Sequence, residues 1–169
     1  MWTEPTLAER TAQPYAAIRV RVPMPEIAQV VPPLNGEVFG WLAEHGGKPT
    51  GPPFWKYNVI DMERELEIEA GVTVESAINA DDRVRGGVLP AGTYATLTNT
   101  GHPDSLMEAT AALLAYGNER GWSWDRTDDP DGDRWGCRLE FYLTDPDEEP
   151  DLTKWQTELV FRLRDGSPG

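Results

Sequence analysis

A single cysteine, Cys137, is all the thiol chemistry this 169-residue sequence offers. No intrachain disulfide can form, and a thiolate-rich metal site is excluded. Histidine is nearly as scarce: His45 and His102 stand alone, with no His-x-x-x-His or Cys-x-x-Cys pair, which argues against a zinc hydrolase or a zinc finger. Long apolar runs are missing too, and Met1-Trp2-Thr3-Glu4-Pro5 has neither a basic region nor an apolar stretch, so a soluble, unexported, cytoplasmic protein is expected. Basic residues are few, 15 Lys plus Arg against 29 Asp plus Glu, for a formal charge of −14. Such a field repels a polyanionic backbone, so direct nucleic-acid binding is not expected, while cationic ligands are favoured.

Several catalytic signatures are absent as well. No glycine-rich loop is followed by the lysine and hydroxyl residue that cradle phosphate, and no serine sits in a nucleophile elbow. Asp129-x-Asp131-x-Asp133 opens like a calcium loop, but Gly132 is out of place for its sixth position and no glutamate closes it. No metal and no cofactor is expected.

What is present is a pattern of strands and helices. Ile18, Val20 and Val22 alternate in a strand over Tyr15 to Val22 that Pro23 and Pro25 end. Ile27, Val30, Val31, Leu34, Val38, Trp41 and Leu42 recur at three and four, which makes one face of a helix stopped by Gly46-Gly47. Pro32-Pro33 divides it into a short first turn and a main helix over about 34–44. Phe54 to Ile60 and Leu66 to Val74 form a strand pair, and the polar residues Lys56, Asn58, Glu65, Glu67 and Glu69 imply a partly wet face. A second cycle follows: a strand with an internal turn over Gly87 to Thr98, a helix from His102 to Gly121, an acidic loop over Asp125 to Asp133, and strands at Arg138 to Thr144 and Trp155 to Leu163.

The two halves run in the same order, and local echoes accompany it. Trp41-Leu-Ala-Glu-His-Gly answers Tyr116-Gly-Asn-Glu-Arg-Gly, and Trp55 to Asp61 answers Glu140 to Asp145. The reading is a single α+β domain over residues 10–164, built from two β-α-β-β repeats, about 12–75 and 86–164, with an antiparallel sheet. Two such units related by an approximate two-fold axis leave a central groove, where apolar sites form.

Side chains two apart on a strand share a face, so Trp55 and Tyr57 project together, as do Glu140 and Tyr142. Glu140 is the candidate anchor, because Leu139, Phe141 and Leu143 take the opposite face and leave it pointing elsewhere. If that is a cleft walled by rings, its carboxylate needs a donor or a cation. If it is solvent, nothing follows. Trp122 and Trp124 are candidates to roof a pocket or to pack in the core, and Glu158 is the second carboxylate of interest. Aromatic walls bind planar apolar ligands and attract cations.

The two-cycle order, the turn Leu89-Pro-Ala-Gly-Thr-Tyr94 and the closing run Leu139-Glu-Phe-Tyr-Leu-Thr-Asp-Pro146 followed by Trp155-Gln-Thr-Glu158-Leu resemble the GyrI-like small-molecule-binding superfamily. The resemblance covers about residues 10–164. It implies a pseudo-symmetric fold with a central groove for lipophilic, often cationic, aromatic compounds, as in effector-binding domains of multidrug-responsive transcription activators. It also implies a glutamate near the groove floor, carried here by Glu140, with Trp55, Tyr57 and Tyr142 as wall positions. Some stand-alone members hydrolyse cyclopropane-bearing DNA-alkylating natural products with a glutamate, so Glu140 would be catalytic on that reading. No room for a helix-turn-helix module precedes Tyr15, which points to a stand-alone binder or hydrolase. A protein-interaction module, its groove given to a peptide or unused, is the third reading.

Overall fold

The computed structural model describes residues 1–167. Its first repeat begins with β2 (Gln13–Val22), passes through α1 (Ile27–Val30) and α2 (Pro32–His45), and returns as β3 (Phe54–Ile60) and β4 (Leu66–Thr73). Pro32 and Pro33 open α2 rather than break it, because the first turn of a helix needs no backbone N–H. Gly46 ends α2 with φ +73°, the left-handed conformation that costs glycine least. The second repeat is β6 (Gly92–Thr100), α3 (Leu106–Glu119), β9 (Arg138–Tyr142) and β10 (Gln156–Arg162).

The six repeat strands lie in the order β6-β10-β9-β3-β4-β2, all neighbours antiparallel, so the halves meet where β9 pairs with β3. At that seam Phe54 faces Phe141, Trp55 faces Glu140 and Lys56 faces Leu139. The outer strands are exchanged between the repeats. β1 (Thr6–Arg10), which precedes the first repeat, pairs with β6 of the second, and β5 (Arg85–Leu89), which precedes the second, pairs with β2 of the first. The result is an α+β fold, a curled antiparallel sheet forming a half-barrel with two main helices against it.

Period-two alternation sends the side chains to two different environments. On the helix side Ile18, Ile68, Ala70 and Val72 pack beneath Leu34, Val38 and Leu42 of α2, while Ala95, Leu97, Leu159 and Phe161 pack beneath Ala109 and Leu113 of α3. On the other side Tyr15, Phe54, Tyr94, Cys137, Leu139, Phe141 and Val160 are buried against one another with no helix among them, a consequence of the sheet curling over its own inner face. Burial pushes the Cys137 thiol pKa up. Among the described residues no helix is long and apolar enough to cross a membrane.

Four expectations change. The acidic stretch from Asp125 to Asp133 is not a plain loop: β7 (Arg126–Asp129) and β8 (Gly132–Trp135) form a hairpin, and β8 extends onto β3 at Val59 and Ile60. Gly132 makes that approach possible, since a Cβ there would lie 2.6 Å from the Ile60 carbonyl oxygen. The segment Gly87 to Thr98 is two strands that diverge to opposite ends of the sheet, β5 at one edge and β6 next to β1 at the other. The wet face of β4 is mostly dry: Glu67 and Glu69 are buried, and Glu69 accepts from Tyr15 Oη and Asn58 Nδ2, both at 2.8 Å, with Lys56 at 3.5 Å. Leu143 lies beyond the end of β9 and is exposed rather than packed with Leu139 and Phe141.

Candidate ligand site

Packing of α2 on β2 and β4, and of α3 on β6, leaves the central strands β3 and β9 as the floor between the two helices. The residues that the alternation of these strands turns toward that gap are Trp55 and Tyr57 from β3, and Arg138, Glu140 and Tyr142 from β9. They sit between the core beneath α2 and the core beneath α3.

Glu140 is 8% exposed. A carboxylate at that depth needs donors, and it has two: Tyr57 Oη donates to Oε1 at 3.0 Å and Tyr142 Oη donates to the same oxygen at 2.7 Å. The second oxygen, Oε2, accepts no hydrogen bond from any described residue. The phenols respond to their surroundings: burial, and after it the adjacent Glu140 charge, push the pKa values of Tyr57 and Tyr142 well above the ordinary phenol value. They therefore stay protonated and keep donating.

Trp55 stands edge-on to Tyr142, ring centroids 5.1 Å apart, and closes the wall on the α2 side. Its indole Nε1 donates at 2.8 Å to Asn35 Oδ1, while Asn35 Nδ2 donates to the carbonyls of Phe54 and Gly71, each at 3.2 Å. One side chain thus fastens α2 to β3, to β4 and to the aromatic wall. Sequence reasoning missed Asn35; its signal was a polar, weakly helix-favouring residue at the start of a helix, on the turn that faces the sheet.

Arg138 was also missed, although it lies two residues before Glu140 on the same strand face. Its guanidinium carbon is 4.5 Å from the ring centroid of Phe161, 5.0 Å from Trp135 and 5.7 Å from Tyr57.

Of the residues singled out from sequence, the structure brings Glu140, Tyr142, Trp55 and Tyr57 together. Trp122 and Trp124 are in the core under α3, in a series of edge-on and tilted ring contacts with Trp135 and Phe161, and lie against Gly117. Glu158 points to the other face of the sheet, where Arg10 lies 3.5 Å away. These three do not touch Glu140. Among the described residues, no group of three or more His, Cys, Asp or Glu side chains gathers as a metal site.

The model of the GyrI-like small molecule binding domain matches residues 3–164. The chain belongs to the GyrI-like family. Three solved structures share its fold. The crystal structure of the EcmrR C-terminal domain has a TM-score of 0.75 at 20% identity, covering 95% of this chain and 97% of that one. EcmrR in its DNA complex gives 0.76 at 22% identity over 96% of this chain, which spans only 57% of the EcmrR chain. SAV2435 bound to tetraphenylphosphonium gives 0.65 at 13% identity, covering 96% and 95% of the two chains. Comparison with curated protein sequences gives no significant match. The fixed points of this GyrI-like domain are a pinned glutamate and three rings on the two strands where its repeats meet.

Proposed function

We propose that this GyrI-like domain binds lipophilic aromatic molecules bearing a positive charge or a strong hydrogen-bond donor, in the groove between α2 and α3. The observation that carries this is the division of labour within Glu140: both phenols hold Oε1, and Oε2 is left for a ligand. A buried carboxylate with one uncommitted oxygen, beside Trp55 and Tyr142, suits an aromatic cation in polarity and charge. That SAV2435, which shares the fold, is bound to tetraphenylphosphonium supports this class of ligand.

Entry requires one latch to open. The Trp55–Asn35 hydrogen bond fastens α2 over the wall, and α2 is a helix of low intrinsic stability, with Gly36 and Gly40 in its interior and no side-chain cap at its N-terminus. Each glycine costs a helix interior about 1 kcal/mol relative to alanine. The groove therefore admits ligand by displacing the start of α2, the least costly part of the wall to move.

The test is titration of the protein with tetraphenylphosphonium, followed by tryptophan fluorescence and calorimetry. Saturable binding is expected, weakened about tenfold or more by Glu140→Gln, since a charged partner in a dry site is lost. Equal affinity in the two proteins would sink the assignment of Glu140.

A further inference from the structure

Arg138 differs from Arg162, another partly buried arginine. All the side-chain nitrogens of Arg162 are engaged: Nε and Nη2 donate to the Ala91 carbonyl at 3.2 and 2.9 Å, Nη1 to Asp125 at 3.0 Å, and Nη2 also to Asp165 at 3.0 Å. Arg138 pairs across the sheet with Phe161, the residue next to Arg162, yet its guanidinium forms no hydrogen bond or ion pair with any described residue. Its Nε is fully buried and without an acceptor. In a chain with 29 acidic side chains, a largely buried guanidinium in direct contact with none of them among the described residues is an exception, although the Glu140 charge is near.

Three rings hold it instead. Phe161, Trp135 and Tyr57 flank the guanidinium carbon within 5.7 Å, which offsets the charge without consuming a donor. The planar fork is thereby oriented and its hydrogen-bonding capacity is kept. Tyr57 links the two charged groups, lying beside Arg138 and donating to Glu140. Burial pulls the Arg138 pKa below the ordinary arginine value, and the nearby Glu140 charge, acting the other way, does not cancel it.

We infer that Arg138 is the positive pole of the same groove, taking a carboxylate, phenolate or carbonyl oxygen of the ligand while Glu140 takes its cationic or donor end. This rests on the reading of Glu140 given above. The preferred ligands are then aromatic zwitterions or donor–acceptor molecules with the two groups about 7 Å apart, the spacing of alternate residues on a strand. Simple lipophilic cations fill only half of the site.

A matched pair of probes separates the two poles: butyltriphenylphosphonium, a cation, and (4-carboxybutyl)triphenylphosphonium, a zwitterion at neutral pH. The acidic surface attracts the first more strongly at long range, so any advantage of the second must arise from local contact. Each is titrated by calorimetry against the wild type and against Arg138→Met and Arg138→Gln. The ratio of zwitterion to cation affinity is the readout, because a general disturbance of the groove changes both affinities alike. The ratio is expected to fall about tenfold in both variants, as for loss of a charge-assisted contact. An unchanged ratio in whichever variant folds overturns the inference and leaves Arg138 as a stacking residue. If instead the wild type binds neither compound, or Glu140→Gln leaves butyltriphenylphosphonium affinity intact, the Glu140 reading itself fails and takes Arg138 with it.

Discussion

Glu140, Tyr57 and Tyr142 form a unit in which each member is tolerable only because of the others. Removing one phenol leaves a buried carboxylate with a single donor, and hydrogen bonds to charged groups contribute about 1.5–3 kcal/mol. Tyr142→Phe, which removes the shorter of the two bonds, is expected to lower stability by about that amount, and Tyr57→Phe by somewhat less. Chemical denaturation of the two single variants and the double variant checks both, with the double losing more than the sum because either phenol alone partly compensates for the other at their shared acceptor. The same phenols set an alkaline limit. Burial raises the pKa values of Tyr57 and Tyr142, with Tyr15 and Tyr94 raised as well, so the folded state holds these protons more tightly than the unfolded chain does. Their stabilising contribution is therefore complete below the unfolded phenol value of about 10 and declines as pH rises beyond it. Ultraviolet titration of the phenols should show these tyrosines ionising only together with loss of structure. Normal, reversible ionisation of all of them in the folded state would contradict their placement. Much of this was legible in the sequence, because a strand has period two: Trp55 with Tyr57, and Glu140 with Tyr142, follow from spacing alone. The opposing donors were not legible, since the register that sets Trp55 across from Glu140 is a property of pairing, not of either strand.

Elements follow local pattern where apolar spacing is strong and depart from it where partners decide. The spacing of Leu34, Val38 and Leu42 placed α2, and the alternation of Phe54 to Ile60 placed β3, within a residue or two. β1 reads Thr-Leu-Ala-Glu-Arg, with too little alternation to declare itself, and is a strand because β6 offers it an edge. The β7–β8 hairpin is hidden by its acidic side chains in the same way, and for Trp122 and Trp124 the sequence leaves a pocket roof and core packing both open, because spacing gives a shared face without saying what that face meets. What they meet is α3 at Gly117, where a Cβ would lie 2.4 Å from Trp124 and 2.8 Å from Trp122. Glycine inside a helix is ordinarily worth replacing by alanine. Here Gly117→Ala is expected to cost about 1–3 kcal/mol, since the methyl group must displace two buried indoles. A thermal melt of the variant decides it; an unchanged or raised midpoint would mean that α3 sits further from the tryptophans than the structure shows.

At the scale of the whole molecule the notable device is the exchange of outer strands. Each repeat borrows an edge strand from the segment that introduces the other, so neither β2 nor β6 is left with an open edge and the two halves are tied by chain as well as by the β3–β9 seam. The first ten residues reinforce this tie, with the Thr100 amide donating to the Met1 carbonyl at 2.7 Å and the Thr3 amide to the Thr98 carbonyl at 2.9 Å. A groove whose floor is the seam between repeats depends on that tie, because any relative motion of the halves changes the spacing of Trp55 and Tyr57 on one side from Arg138, Glu140 and Tyr142 on the other. Deleting residues 1–11 should therefore act twice. It uncovers the edge of β6, an invitation to pair with another chain, so size-exclusion chromatography is expected to show dimers or larger species. It also loosens the floor, so phosphonium affinity is expected to fall although no residue of the groove has been touched. A deletion that remained monomeric and bound the ligand unchanged would show that the seam alone fixes the groove, with the borrowed strand serving only as a cover for β6.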